Sequence, residues 1–418
     1  MIAMTKKLFV YWESRLVGVL WLDEQGEYVF QYQPGWLASL DALPISLQLP
    51  LKADAYENSL SRPFFANLLP EAEVRRFLAA RYGISVGNDF GLLLEIGGEC
   101  AGALSLLPED TRPTGKGKYK KITERHLDER LAEMPKRPLL SPEWGERLSL
   151  AGAQNKLPVT IKNGELFLPL GSYPSSHILK PQIPSYEETV ENEAFCMMLA
   201  QKAGLDVPEV AVYQTPNNKL LSVKRYDRKA DEKGNLVRLH QEDFCQALGL
   251  MPDQKYENEK GPGFKHCFDL LTENSNGPIR DKTRLIQWAV FNHLIGNADA
   301  HAKNISIMIR PNGFSLAPFY DLMSTVVYAG LDAKFSMKIG GKYKRREVSG
   351  RHWDRFAEDA GVKSDVVQQV ALQLAKELPI VAKNLGDDFI EKFGGKAIVN
   401  KICDFIEKES RLLTGVLR

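Results

Sequence analysis

The densest group of polar and ionisable side chains in the sequence lies near residue 300 and comprises Asp299, His301, Lys303 and Asn304. The preceding stretch, 281–292, predicts a mostly buried helix, and Gly296 is its stop signal because glycine tolerates the left-handed conformation of a helix C-terminus. On a helix Asp299 and Asn304 would lie on different faces, whereas on a loop they can converge on one ligand. The spacing therefore favours a catalytic loop, followed by a strand at 305–309.

Four other features in the chain suit the same chemistry when they are taken in order. They are a small-residue turn at 151–154, a strand lysine, a helix glutamate and an aspartate beyond the predicted strand: Lys180, Glu193 and Asp321. Phosphoryl transfer from ATP needs N–H donors and a cation at the phosphates, a carboxylate that holds that cation, and a second carboxylate that accepts the hydroxyl proton. Mg²⁺ prefers oxygen ligands, which Asn304 and Asp321 offer. The order of these parts predicts a phosphotransferase with Asp299 as the base.

Composition sets the class of protein that must position these residues. The chain has 418 residues, of which 44% are hydrophobic, and this is enough for a large core in two or three lobes. A net charge of +1 gives no overall attraction to nucleic acid or to a membrane surface. Five scattered cysteines without a CxxC pair argue against disulfides and zinc, and neither a signal peptide nor a long apolar run is evident. We expect a soluble, cytoplasmic α+β protein without membrane contact.

Strand-like patterns dominate before residue 228 and helical patterns after it, as in two-lobed phosphotransferases. Residues 6–32 alternate between apolar and polar side chains and predict a β-meander. The glycine-rich stretch 96–104 lacks both nucleotide-binding glycine patterns, so we interpret it as close strand packing. The predicted division is 1–140 as a β-rich N-terminal subdomain, 141–228 as a β-rich lobe with the phosphate loop, and 229–418 as an all-helical lobe with the catalytic loop.

Four short motifs give the chain a resemblance to a known family. They are Phe64-Phe-Ala-Asn-Leu-Leu-Pro-Glu71, Ser149-Leu-Ala-Gly-Ala-Gln-Asn-Lys156, Asp299-Ala-His-Ala-Lys-Asn304 and Phe319-Tyr-Asp321. Together they resemble the HipA family, the kinase toxins of bacterial type II toxin–antitoxin pairs, over nearly the whole chain. The resemblance implies a two-lobed protein-kinase-like fold.

The resemblance also implies a role for individual residues. Asp299 would be the catalytic base, and Asn304 and Asp321 would bind Mg²⁺. The remaining expected ATP contacts are Ala151, Gly152, Ala153, Gln154, Lys180 with its partner Glu193, and a hinge at 223–226 whose backbone holds adenine around Lys224 and Tyr226. Ser149 matches the family's autophosphorylated serine, whose phosphorylation ejects the phosphate loop and switches the kinase off.

The same resemblance implies a biological role. It is that of a Mg²⁺- and ATP-dependent serine/threonine kinase toxin that phosphorylates a protein of the translation machinery, notably glutamyl-tRNA synthetase. Such a toxin inhibits growth and promotes persistence. A HipB-like helix-turn-helix antitoxin would neutralise it, and the two would repress their operon together on operator DNA.

Several alternatives remain open from the sequence. His301 is a candidate catalytic residue that either neutralises charge on the transferred phosphoryl group or has a structural role, and Lys303 is a second candidate for that neutralisation. A metal-dependent hydrolase would use His293, His301, Asn304 and Asp321, although we interpret His293 as structural. A non-enzymatic module would act mainly through antitoxin and DNA, with the basic segment 342–346 as one contact.

Overall fold

A computed structural model defines residues 6–113, 119–134, 139, 149, 151–170 and 173–418. Within these residues the chain forms three regions, each built around its own hydrophobic cluster. None of the helices in this described part combines the length and the apolarity needed to span a bilayer.

The first region is a four-stranded antiparallel sheet with helices packed against it. Its elements are β1 (Lys7–Trp12), β2 (Arg15–Leu22), β3 (Tyr28–Tyr32), α1 (Pro34–Leu37), α2 (Asn58–Ala66), α3 (Ala72–Arg81), α4 (Asp89–Ile96) and β4 (Leu104–Pro108). The strand order is β3-β2-β1-β4, so β1–β3 confirm the predicted meander. Alternate side chains such as Leu8, Val10 and Leu20 are fully buried, as the period of two in a strand requires.

The second region is a six-stranded antiparallel sheet with the order β5-β7-β6-β8-β10-β9. Its elements are β5 (Tyr119–Ile122), α5 (Glu124–Glu133), β6 (Leu157–Lys162), β7 (Glu165–Pro169), β8 (His177–Pro181), α6 (Thr189–Lys202), β9 (Val210–Gln214) and β10 (Lys219–Lys224). The predicted boundary after residue 140 needs a correction, because β5 pairs with β7 and not with the first sheet. Ile122, Leu127 and Leu131 complete the core of this second region.

The third region is mainly helical. Its helices are α7 (Phe244–Ala247), α8 (Phe264–Asn274), α9 (Pro278–Ile295), α10 (Gly350–Ala360), α11 (Ser364–Phe393) and α12 (Lys396–Leu417). It also contains short strands: β11 (Arg228–Ala230), β12 (Leu236–Arg238), β13 (His240–Asp243), β14 (Ser306–Arg310), β15 (Gly313–Leu316), β16 (Lys334–Ile339) and β17 (Lys342–Lys344). The expectation of an all-helical lobe is therefore corrected by these strands. They matter because β14, which directly follows the predicted catalytic loop, pairs with both β13 and β15 and so fixes the C-terminal end of that loop.

Candidate active site

The predicted catalytic loop begins where α9 ends. Gly296 adopts φ 70°, and its N–H group closes the last turn of α9, as predicted for a left-handed C-terminal residue. A Cβ atom at Gly296 would lie 2.3 Å from Val326, so close packing also requires glycine. The buried Asn297 side chain donates to Asn292 Oδ1 over 2.8 Å, which ties the start of the loop to the buried helix.

Asp299 and Asn304 lie together at the two ends of this loop. The Asp299 side chain is 58% exposed, and the Tyr256 hydroxyl donates to its Oδ1 over 2.9 Å. Asn304 Nδ2 donates to the Asp299 carbonyl over 3.0 Å, which leaves the amide oxygen of Asn304 as an acceptor for a ligand. The arrangement presents a carboxylate and an amide oxygen from one rigid turn. Tyr256 was not singled out from the sequence, because an isolated tyrosine 43 residues away carries no pattern.

Lys180 links the two regions across the candidate site. It lies in β8, donates to Glu193 Oε1 of α6 over 2.7 Å, and also pairs with Asp321 Oδ1. Asp321 sits at φ 56°, a left-handed conformation that costs free energy for a side chain other than glycine. Burial opposes ionisation of Asp321, but Lys180 and Lys156 hold the pKa of its carboxyl at about 2. Burial and the nearby Asp321 raise the pKa of Glu193.

The predicted phosphate loop lies beside this ion-pair group. Gly152 adopts φ 104°, and a Cβ atom there would lie 2.7 Å from Lys156 Nζ. Lys156 Nζ donates to the Ala151 carbonyl over 2.5 Å, and Gln154 Nε2 donates to the Pro181 carbonyl over 3.4 Å. Burial lowers the pKa of Lys156 to about 8, against the opposing effect of Asp321. Lys156 was the last residue of the recognised motif, but it was assigned no role from the sequence; the structure gives the site this second lysine.

The predicted hinge follows β10. The Lys224 side chain is exposed and pairs with the Glu209 carboxylate over 2.9 Å. The Lys224 backbone N–H group donates to the Glu209 carbonyl. Both the side chain and the backbone N–H group of Lys224 are thus bonded to Glu209, and the adenine contact of the hinge stays a prediction. The Tyr226 ring stacks on Tyr320 at 6.0 Å, and the Tyr226 hydroxyl bonds to Gln241. This stacking places the hinge directly beside the segment that carries Asp321.

A buried charge cluster lies behind the hinge and was missed from the sequence. Glu99 Oε1 accepts from Arg225 over 2.9 Å and from Arg228 over 2.7 Å, and both arginines also contact Asp227. All four side chains are at most 3% exposed, so their charges must balance one another. Glu99 belongs to the glycine-rich stretch that we interpreted as close packing, and the nearest signal was the charged run 225–228.

His301 and Lys303 have different surroundings in the loop. His301 is buried, its Nε2 lies 3.9 Å from Asp299 Oδ1, and burial lowers the pKa of its ring. Lys303 is also buried, but its Nζ donates to Asn67 Oδ1 over 2.6 Å and to Asp243 Oδ2 over 2.8 Å. These contacts occupy the Lys303 ammonium, so the geometry does not support the phosphoryl-neutralising role considered for it. His301 remains a candidate beside Asp299.

Ser149 is fully buried in this conformation. Its Oγ donates to the Leu68 carbonyl over 2.7 Å, and its backbone N–H donates to the Glu99 carbonyl over 2.9 Å. Both partners belong to the N-terminal region. The rest of the 147–150 stretch lies outside the described residues.

The structure does not support the metal-dependent hydrolase, because His293, one of its two histidines, is a core residue. His293 is buried, and its ring packs between Phe335 at 5.6 Å and Trp353 at 5.5 Å. Burial lowers the pKa of its ring to about 3, as suits a neutral core residue. Among the residues with defined positions, no group of three or more histidine, cysteine or acidic side chains could hold a metal ion.

Comparison with known proteins gives the family. Residues 8–107 match the model of the HipA N-terminal domain, and residues 148–381 match that of the HipA-like C-terminal domain. The chain is 41% identical over 411 residues to the Sinorhizobium fredii protein named "Putative kinase Y4mE", covering 97% of this chain and 98% of that protein. It is 30% identical over 390 residues to the serine/threonine-protein kinase toxin HipA of Shewanella oneidensis, covering 90% of this chain and 88% of the toxin.

Similarity extends to a solved structure. The fold matches Shewanella oneidensis HipA from its complex with HipB and operator DNA, with a TM-score of 0.87, 27% identity and 98% coverage of both chains. The predicted α+β, two-lobed architecture is thereby confirmed. The chain belongs to the HipA family, and it is a HipA-like serine/threonine protein kinase.

Proposed function

We propose that this kinase transfers the γ-phosphoryl group of ATP to a serine or threonine hydroxyl at a centre built around Asp299. The observation that carries the proposal is the Lys180 ammonium, which contacts both Glu193 and Asp321 beside the phosphate loop and the 299–304 loop. Lys180 and Lys156 supply cations for the phosphates, while Asp299 offers an exposed carboxylate for the attacking hydroxyl.

The residues present fit a divalent cation of the Mg²⁺ type. Asp321 forms an ion pair with Lys180, and the Asn304 amide is oriented with its oxygen available, so the pair offers one anionic and one neutral oxygen. These two residues would hold Mg²⁺, which when bound neutralises charge on the phosphates. Lys180 would then exchange its contact with Asp321 for a contact with phosphate while Glu193 keeps it in place.

A cavity beside the candidate centre offers room for an acceptor hydroxyl. It has a volume of about 850 Å³ and is lined by Asp299 together with Tyr186, Tyr328, Lys334 and Lys342. Such a volume is enough for a serine or threonine side chain of an acceptor protein to reach Asp299. We propose that the acceptor is a protein of the translation machinery. The family resemblance suggests glutamyl-tRNA synthetase, with growth inhibition and persistence as the result.

Self-modification at Ser149 is part of the proposal. A phosphate dianion does not fit a fully buried position whose hydroxyl faces a backbone carbonyl. Phosphorylation of Ser149 would therefore stabilise a state in which the phosphate loop has left this position, which would stop ATP binding.

We further propose that a HipB-like helix-turn-helix antitoxin neutralises the kinase and that the complex represses its operon on operator DNA. The support is the matching Shewanella oneidensis structure, which contains HipA, HipB and operator DNA. The operator DNA in that structure supports a second candidate function, in which the chain acts mainly as a co-repressor through the antitoxin.

The test combines labelled ATP with phosphoproteomics. Wild-type protein should incorporate label at Ser149 and phosphorylate a translation protein in cells. Ser149→Ala should lose only the self-label, and Asp299→Asn should lose both. Asp253→Asn, a change at an exposed aspartate, is the matched control and should behave as wild type. Undiminished labelling by Asp299→Asn would overturn the proposed centre, and repression without any phosphorylation would establish the co-repressor alternative.

A further inference from the structure

Residues 67–71 of the N-terminal region reach out of their own region and contact the phosphate loop. The segment follows α2, and Pro70 forms a parallel bridge with Gly152. The Glu71 N–H group donates to the Gly152 carbonyl over 3.1 Å, and the Leu68 carbonyl accepts from Ser149 Oγ over 2.7 Å. One short segment therefore holds the loop at both Ser149 and Gly152.

The same segment also contacts the catalytic loop. Asn67 Oδ1 accepts from Lys303 Nζ over 2.6 Å, and Glu71 Oε1 lies 3.7 Å from that Nζ. The Asn67 amide nitrogen donates to the Pro63 and Leu250 carbonyls, each over 2.8 Å, so the orientation of the amide is fixed. Asn67 is 1% exposed, and these bonds leave its oxygen directed at Lys303.

Lys303 is well placed to transmit this contact because it directly precedes Asn304 in the loop that begins at Asp299. Its buried ammonium pairs with the Asp243 carboxylate over 2.8 Å and lies 3.7 Å from the Glu71 carboxylate. A buried cation of this kind is strongly destabilising unless its partners remain in place. The position of Lys303, and with it the turn between Asp299 and Asn304, therefore depends on Asn67, Glu71 and Asp243.

We propose that residues 67–71 form a latch, a segment that fixes the phosphate loop and the catalytic loop in position relative to each other. Asn67 is the positioning residue of this latch for phosphoryl transfer. The catalytic part of this inference rests on the proposed function, while its structural part does not. Asn67 acts through Lys303 and has no contact with the reacting atoms in this scheme. The latch gives the N-terminal region a direct part in the active centre.

The test compares two substitutions that each remove one contact between the regions. Asn67→Ala removes the acceptor of Lys303. Gln48→Ala removes a hydrogen bond of 2.7 Å from Gln48 Nε2 to the Ala247 carbonyl, and this bond involves neither loop. We expect Asn67→Ala to lower kcat by roughly 10- to 100-fold, as for one hydrogen bond to a charged group, with the KM for ATP changed by less than about 3-fold. Gln48→Ala should keep kcat within about 3-fold of wild type.

Amide hydrogen exchange supplies a measurement that does not depend on activity. In Asn67→Ala, amides of 151–156 and of 298–304 should exchange faster together, and in Gln48→Ala they should not. Equal kcat losses in both variants, or faster exchange in only one loop, would overturn the latch. An inactive wild type would refute the proposed function, and the exchange comparison would still decide the latch.

A more conservative variant covers the case in which Asn67→Ala does not fold. Asn67→Asp keeps an acceptor for Lys303 and loses both donors to carbonyls. It should lose less kcat than Asn67→Ala, because it keeps the contact with Lys303 while only the Pro63 and Leu250 carbonyls lose their donor. A folded Asn67→Asp protein with a much larger kcat loss would contradict the assignment.

Discussion

Replacing Glu99 with glutamine should destabilise the fold strongly although it changes very little in shape. Oε1 of Glu99 accepts from Arg225, Arg228 and Ser175, so a glutamine oxygen at the same position can keep these hydrogen bonds. The change removes the charge and replaces the Oε2 atom that accepts from Ser175 Oγ over 3.2 Å with an amide nitrogen. The cluster of Glu99 and Asp227 with two arginines goes from balanced to one excess positive charge in a site that is at most 3% exposed.

The size of the effect follows from the burial of that charge. Removing one partner of a buried ion pair costs roughly 3–5 kcal/mol, because the remaining charge loses both water and its partner. Burial opposes the ionisation of Glu99, but Arg225 and Arg228 lower the pKa of its carboxyl, so the residue is charged in the fold. We expect Glu99→Gln to lower the free energy of unfolding by roughly 3 kcal/mol.

Urea denaturation at neutral pH measures this change. Glu73→Gln is the matched control, since Glu73 is 90% exposed and lies 4.0 Å from Arg76, and it should change stability by less than about 0.5 kcal/mol. The double variant Glu99→Gln/Arg228→Gln restores charge balance, so its cost should be smaller than the sum of the single costs by at least about 1 kcal/mol. A loss below about 1 kcal/mol for Glu99→Gln, or strict additivity in the double variant, would refute the argument.

Three further predictions each concern one residue: Glu242, Tyr256 and Gly152. Burial raises the pKa of the Glu242 carboxyl to about 8. The folded chain therefore holds a proton that the unfolded chain releases above about pH 4.3, and stability from this group falls as the pH rises from about 4 to 8. Glu242→Gln keeps the acceptor for the Leu47 N–H group. It should raise the free energy of unfolding at pH 8 by on the order of 2 kcal/mol, and denaturation curves should show a weaker dependence of stability on pH between about 4 and 8. Tyr256→Phe removes the hydroxyl that orients Asp299 and should lower kcat roughly 10-fold in a labelled-phosphate assay, whereas an unchanged kcat would exclude this orienting role. Gly152→Ala introduces a side chain against Lys156 at a backbone φ of 104°. It should raise the KM for ATP at least about 10-fold and change the midpoint of thermal unfolding by no more than a few degrees. An unchanged KM would contradict the assignment of the phosphate loop.

Local patterns in the sequence were enough to predict the elements nearest to the chemistry. The apolar run before Gly296, the glycine itself and the strand after Asn304 gave the helix, loop and strand that the structure contains. Lys180 and Glu193 were predicted as partners, and they form an ion pair of 2.7 Å. The helix, loop and strand could be predicted because helix ends and strand periodicity depend on residues close together in the chain, whereas the Lys180–Glu193 pair was predicted from the parts that phosphoryl transfer needs.

Contacts between distant residues could not be predicted in this way. Glu99 and Arg225 are separated by 126 residues, and Asn67 and Lys303 by 236, so no local period relates them. Lys303 was considered for a role at the phosphoryl group because it follows the predicted base Asp299 closely in the sequence, and only the fold shows that it is buried against Asn67. The strand β5 was likewise assigned to the wrong region, because its partner β7 follows more than forty residues later.

The central claim is that Asp299 accepts the hydroxyl proton at a centre in which ATP is bound by other residues. Its most direct test is phosphoryl transfer from γ-labelled ATP by Asp299→Asn, with nucleotide affinity measured in parallel. The account predicts that ATP affinity stays within about 3-fold of wild type while transfer falls by at least about 100-fold, as for the loss of a general base. Transfer by Asp299→Asn at the wild-type rate would contradict the account.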